Sequence, residues 1–130
     1  MKREGEDLAV VSYGLMLHYC LEAAARLQDE EGMSVEVVDV RTIAPLDTAT
    51  ILDSVRKTDK VMVVYEDNRT YGAGAEIAAT IAEEAMFELD APIVRIGGPD
   101  IPAMGFATPI EHAYMPDPDS IYRRDRKSVV

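Results

Sequence analysis

Apolar residues along this chain arrive in short runs, separated by longer stretches in which they recur every three or four positions. Leu8-Ala9-Val10-Val11-Ser12-Tyr13 does not alternate with polar residues and is closed by Gly14, so it reads as a strand covered on both faces. The next stretch repeats Met16, Tyr19, Cys20, Ala23, Ala24 and Leu27 on one face of a helix, with Glu22 and Arg26 spaced for an i,i+4 pair on the other. Gly32 ends that helix, because glycine takes the left-handed conformation without a Cβ penalty. Residues 35–40 and 61–65 repeat the buried-strand pattern. Between them Asp47 is placed to accept backbone N–H bonds at a helix start and Leu46 to staple onto Ile51, with Ile51, Leu52 and Val55 facing the sheet. A third helix is predicted from near Gly74 to about Leu89, burying Ala78, Ile81, Ala82, Ala85 and Leu89. Residues 93–96 make a fourth strand. Residues 97–118 read as Gly- and Pro-rich loops, with a final weak helical stretch from near Asp119.

Strand–helix–strand alternation with crossovers this long predicts parallel strands covered on both sides by helices. The expected architecture is α/β: a three-layer α/β/α sandwich on a mainly parallel sheet of four to five strands, with residues 1–130 as one domain.

Composition narrows the functional classes. A hydrophobic share of 48% and a charged share of 28% describe a globular chain, and no apolar run reaches the roughly 18–20 residues of a membrane span. The first seven residues, Met1-Lys2-Arg3-Glu4-Gly5-Glu6-Asp7, lack a signal-peptide apolar stretch, and the single cysteine, Cys20, suits a reducing compartment, so a cytoplasmic location is expected. A formal net charge of −11 argues against nucleic acid as a partner, since phosphate binding needs a basic surface. The one basic cluster, Arg123, Arg124, Arg126 and Lys127, reads as a solvated tail. An acidic field keeps a domain soluble and steers a basic protein partner toward it.

Few residues point to chemistry. His18 falls off the apolar stripe of the first helix and reads as a surface residue; His112 follows Glu111 in the late loops and reads as structural or interfacial. No second histidine or cysteine stands at metal-ligand spacing. Cys20 lies on the buried helix face, and Ser12 and Ser34 lack a nucleophile-elbow context. The segment from Glu66 to Glu76 joins a strand's carboxyl end to a helix through Gly72-Ala73-Gly74, which resembles part of a dinucleotide fingerprint. Ile77 occupies the third glycine position, however, and Glu76 would repel a phosphate, so a tight turn with close helix packing is the plainer reading. No catalytic, cofactor-binding or metal-binding residue is assigned. A stand-alone small-ligand domain using the loop between Glu66 and Glu76 remains the alternative.

The residues carry a resemblance in their order. Val10-Val11-Ser12-Tyr13-Gly14, Val37-Val38-Asp39-Val40-Arg41-Thr42-Ile43-Ala44-Pro45-Leu46-Asp47, Val64-Tyr65-Glu66-Asp67 with Gly72-Ala73-Gly74-Ala75-Glu76, Ala91-Pro92-Ile93-Val94-Arg95-Ile96-Gly97-Gly98-Pro99-Asp100-Ile101-Pro102 and Tyr114-Met115-Pro116-Asp117-Pro118 follow one another. The series resembles the transketolase carboxyl-terminal domain as found in E1 beta subunits of 2-oxo acid dehydrogenase complexes, and Arg41 to Asp47 is its most specific block. The resemblance implies a parent enzyme, an acyl-transferring oxidoreductase of the pyruvate, branched-chain 2-oxo acid or acetoin type. That parent would use thiamine diphosphate and Mg, with an E1 alpha subunit, a second E1 beta subunit and the E2 peripheral-subunit-binding domain as partners. In the family the cofactor sits between the alpha subunit and a preceding pyrimidine-binding domain, which this sequence does not contain, and neither histidine here matches the family's catalytic one. The chain itself is therefore expected to be inactive and to serve assembly and E2 docking. Asp90, in the turn Leu89-Asp90-Ala91-Pro92, is the candidate acidic partner contact. The family also carries an antiparallel strand before the turn matched by Arg3-Glu4-Gly5. Here either that strand is cut short, leaving an open sheet edge, or the turn begins the ordered part. The ending, from Ile121 onward, departs from the family's amphipathic last helix.

Overall fold

Strands β1 (Leu8–Ser12), β2 (Val35–Asp39), β3 (Val61–Asn68) and β4 (Val94–Gly98) pair in the order β2-β1-β3-β4, every pair parallel. The computed structural model describes residues 1–101 and 107–128, the last four of these in their backbone only. Helices α1 (Leu15–Glu31), α2 (Thr48–Thr58), α3 (Ala73–Ala85), α4 (Thr108–Tyr114) and α5 (Pro118–Ser128) complete the chain.

Alternation along the strands sorts the core into two halves, because successive side chains leave a strand on opposite faces. Leu8, Val10, Val35, Val37, Met62 and Val64 meet Met16, Cys20, Ala23, Ala24 and Leu27 of α1 and Ile121 of α5. Ala9, Val11, Val38, Val61, Val63 and Tyr65 meet Ile51, Leu52 and Val55 of α2 and Ile77, Ile81 and Ala85 of α3. Helices thus cover both sides of an all-parallel sheet, the expected α/β/α layering. Gly32 takes the left-handed conformation at φ 71° and closes α1, and the Asp47 carboxylate accepts the Thr50 N–H at 3.2 Å at the start of α2. No described helix is long and apolar enough to cross a membrane.

Several expectations need correction. α3 stops at Ala85 and tightens into a 3₁₀ turn over Met86–Glu88, short of Leu89. Its buried face is Gly74, Ile77, Ile81 and Ala85, while Ala78 and Ala82 are only half-buried. The helix is rotated because the one residue without a side chain, Gly74, must lie where the backbone runs closest to the sheet. The stretch 97–118 is not all loop: α4 forms with Pro109 in its first turn, where a missing N–H costs nothing; residues 102–106 lie outside the described residues. Arg26 does not pair with Glu22. It bonds Asp119 of α5 at 2.6 Å and Glu30 at 3.5 Å, and its guanidinium lies 4.5 Å over the Tyr122 ring. That arrangement docks α5 on α1 through Ile121 and Tyr122, while Arg123 and Arg124 of the basic cluster lie exposed on the same helix. The side chains of Arg126 and Lys127 lie outside the described residues.

At the other end, Arg3 forms an antiparallel bridge to Val37 on the outer edge of β2, with Arg3 O accepting the Val37 N–H at 2.8 Å. The following turn is held by Glu36, a fully buried carboxylate within β2 whose Oε2 accepts the Gly5 N–H at 3.2 Å and the Lys57 ammonium. Burial pushes the Glu36 carboxyl up, but the Lys57 ammonium and the Gly5 N–H outweigh it and hold the pKa below the ordinary carboxylate value.

Candidate functional site

In an open parallel sheet the crevice for a ligand lies at the strands' carboxyl ends, where the strand order reverses. Here the chain leaves β1 toward β2 on one side and returns to β3 on the other, so the reversal lies between β1 and β3. Their ends place Tyr13 beside Glu66 and Asp67 in a cleft of about 470 Å³, closed by Ile43, Ala73, Tyr114 and Met115. Burial, together with the charges of Asp67 and Glu66 and the nearby Tyr65, pushes the Tyr13 phenol up to about 12. Burial and the same two carboxylates also raise the Tyr114 phenol, whose hydroxyl donates to Asn68 Oδ1 at 2.9 Å. Both phenols therefore stay protonated donors. Among the described residues no cation pairs with Glu66 or Asp67. The cleft suits a cationic group with an apolar stem and disfavours a phosphate.

The loop from β3 to α3 is held firmly. The Tyr65 hydroxyl and Arg95 Nη1 both donate to the Arg69 carbonyl, at 3.3 and 3.2 Å, and Thr70 bonds Asp100 through its N–H at 3.2 Å and its hydroxyl at 2.5 Å. The Tyr65 ring, fully buried, fills the space over Gly72-Ala73-Gly74: a Cβ on Gly74 would sit 1.9 Å from Tyr65 Cε1, and one on Gly72 2.3 Å from the Asn68 carbonyl oxygen. The two glycines thus serve ring and backbone packing, not a phosphate, and Glu76 stands in the first turn of α3. A diphosphate finds no cradle here.

A second surface lies at the end of α3. Ala82, Met86, Leu89, Asp90, Ala91, Pro92 and Ile93 line an open groove of about 450 Å³. Phe87 beside it is 101% exposed and Met86 57%. Asp90 is an exposed residue of the groove lining, with its backbone N–H bonded to the Asp59 carbonyl at 2.8 Å.

The family model for the transketolase C-terminal domain matches residues 1–121. The chain belongs to that family. This transketolase C-terminal domain is 47% identical over 121 residues to the 2-oxoisovalerate dehydrogenase subunit beta of Bacillus subtilis (strain 168), covering 93% of this chain and 37% of that protein. It is 41% identical over 128 residues to the mitochondrial pyruvate dehydrogenase E1 component subunit beta-2 of Oryza sativa subsp. japonica, covering 98% of this chain and 34% of that one. Among solved structures, a split gene transketolase in its inactive beta4 tetramer superposes with a TM-score of 0.84 at 27% identity, over 98% of this chain and 40% of that one. The domain is thus homologous to E1 beta subunits and spans about a third of the length of the curated relatives it matches.

Within the transketolase C-terminal domain, His18 lies exposed on α1, and His112 lies exposed beside Tyr19, Glu111 and Met115. They do not meet at a common site in the fold. Cys20 is buried against β-strand side chains. Among the described residues no three His, Cys, Asp or Glu side chains are grouped to hold a metal. Sequence reasoning missed Tyr13, Tyr114 and Asn68. Tyr13 was legible as the first residue after a buried strand, but its companion Tyr114 lies 101 positions away and only the fold unites them.

Proposed function

We propose that this domain is the assembly and docking module of a 2-oxo acid dehydrogenase E1 beta subunit. The parent, of the pyruvate, branched-chain or acetoin type, performs thiamine-dependent oxidative decarboxylation and hands the acyl group to lipoyl-E2 in the cytoplasm. Thiamine diphosphate and Mg are held in the E1 alpha–beta complex, on polypeptide other than this chain, which alone turns over no 2-oxo acid. E1 alpha and a second beta subunit are its assembly partners. The E2 peripheral-subunit-binding domain is its docking partner, and Asp90 is the acidic contact.

The observation that carries this reading is the groove beside Asp90, an exposed apolar surface on a protein whose relatives are E1 beta subunits. Exposed apolar area bordered by charge is the make-up of a protein interface. The test is a calorimetric titration of the intact E1 with the E2 binding domain. Asp90→Ala is expected to weaken binding several-fold and to flatten its salt dependence; unchanged affinity and salt dependence would remove Asp90 from the interface.

A further inference from the structure

The carboxyl edge of the sheet carries more than the acidic cleft. Each of the four connections leaving a strand there exposes a large apolar side chain: Leu15 at the first position of α1 after β1, Ile43 after β2, Tyr71 after β3 and Ile101 after β4. Tyr71 is 99% exposed and holds a left-handed backbone at φ 61°, a conformation that costs a non-glycine residue free energy. The tethered loop maintains that geometry while the side chain stands in solvent. An aromatic anchor, apolar neighbours and two carboxylates that pair with no cation among the described residues together describe a protein-binding surface rather than a solvated edge.

The direction of the backbone supplies the occupant. Residues 2–3 run antiparallel to β2, so polypeptide attached ahead of residue 1 arrives from the carboxyl end of that strand. The curated relatives are about three times as long as the stretch they share with this chain. We propose that this edge is the face on which the amino-terminal part of the parent subunit docks, with Ile43 and Tyr71 as apolar anchors and a lysine or arginine of that part entering the cleft between Tyr13, Glu66 and Asp67. The proposal rests on the reading of the chain as one domain of an E1 beta subunit.

The test is hydrogen exchange followed by mass spectrometry on the full-length subunit. In the native subunit, backbone amides of Thr42, Ile43, Ala44, Leu46, Tyr71 and Gly72 are expected to exchange slowly; those of Arg69 and Thr70 already donate to the Gly98 carbonyl and the Asp100 carboxylate within the domain and do not report docking. Ile43→Ser with Tyr71→Ala should accelerate the slow amides at least tenfold while leaving the core amides of residues 61–64 unchanged, and Glu66→Gln with Asp67→Asn should do the same at residues 71 and 72. Both substitution pairs lie on exposed or cleft-lining side chains, so slow core exchange reports that the domain stays folded. Exchange in both loops at the rate of free peptide in the native subunit would overturn the docking face, even with the E1 beta reading intact. Protection that appears only as subunit concentration rises would assign the face to a second copy instead. A native protein of this chain's mass alone would overturn the E1 beta reading and this proposal together.

Discussion

Gly74→Ala tests whether Tyr65 sets the position of α3. The added Cβ would lie 1.9 Å from Tyr65 Cε1, 2.2 Å from Cδ1 and 2.5 Å from Cζ, where ordinary carbon contacts are roughly 3.5–4.0 Å. The ring has no room to retreat. It is fully buried, its hydroxyl is bonded to the Arg69 carbonyl, and a Cβ on Gly97 would already lie 2.9 Å from its far edge. The helix must therefore lift by more than an ångström, and overpacking of this kind costs about 1–3 kcal/mol or more. Alanine recovers at most ~1 kcal/mol of helix propensity, and less in a first turn. A net loss of about 2 kcal/mol is expected, read as a lower urea midpoint at unchanged m. Tyr65→Val removes the ring and costs about 2–4 kcal/mol by itself. In that background Gly74→Ala should cost nothing, giving a coupling of about 2 kcal/mol against the ~0.5 kcal/mol scatter of independent sites. Additive losses, or a Gly74→Ala variant as stable as the parent, would refute the account of α3 given above.

Glu36 predicts an acid limb in stability: its folded pKa lies below the unfolded value, so its contribution is full above about pH 4.5 and is lost as pH falls through the folded value. Urea midpoints against pH should show this fall, and Lys57→Met should abolish it, since without the ammonium burial dominates and raises the pKa. Tyr13 should be the late-ionising phenol in a near-ultraviolet titration, with a pKa of about 12 and disappearing in Tyr13→Phe. Because that folded value exceeds the unfolded one near 10, its contribution is present at neutral pH and declines as pH rises from about 10 through about 12; a phenol titrating with the others would contradict the buried cleft. Ile121→Ala should cost about 3 kcal/mol, because Ile121 of α5 is fully buried in the core cluster with α1 and the strands. A cost below ~0.5 kcal/mol would show that α5 contributes no core.

How much was legible depended on whether the cause was local. Runs such as Val61-Met62-Val63-Val64 announce buried strands, and Asp47 announces a cap, because strand burial and N–H capping are decided by residues within a few positions. The order of motifs identified the family, and the alternation of strand and helix patterns the α/β layering. The partner of Arg26 was misread because it is decided by a group distant in sequence, whereas the helix in residues 97–118 begins at a local signal, Pro109 in its first turn. Arg26 chose Asp119, 93 positions away, over Glu22, because α5 brings a carboxylate and the Tyr122 ring face to it together.

The same division holds for the surfaces. From sequence alone came the strands, the first two helices, the acidic character and the pointer to Asp90. Only the folded chain decided that Gly72 and Gly74 serve a tyrosine ring and backbone packing rather than a phosphate, that Glu36 lies dry inside a strand, and that Tyr13 and Tyr114 flank two carboxylates. Periodicity records which side of an element is apolar, but not what the opposite side meets; that depends on loop closures bringing together residues many positions apart. Parallel strands place every strand-to-helix connection at the same edge of the sheet, and there exposed apolar side chains gather.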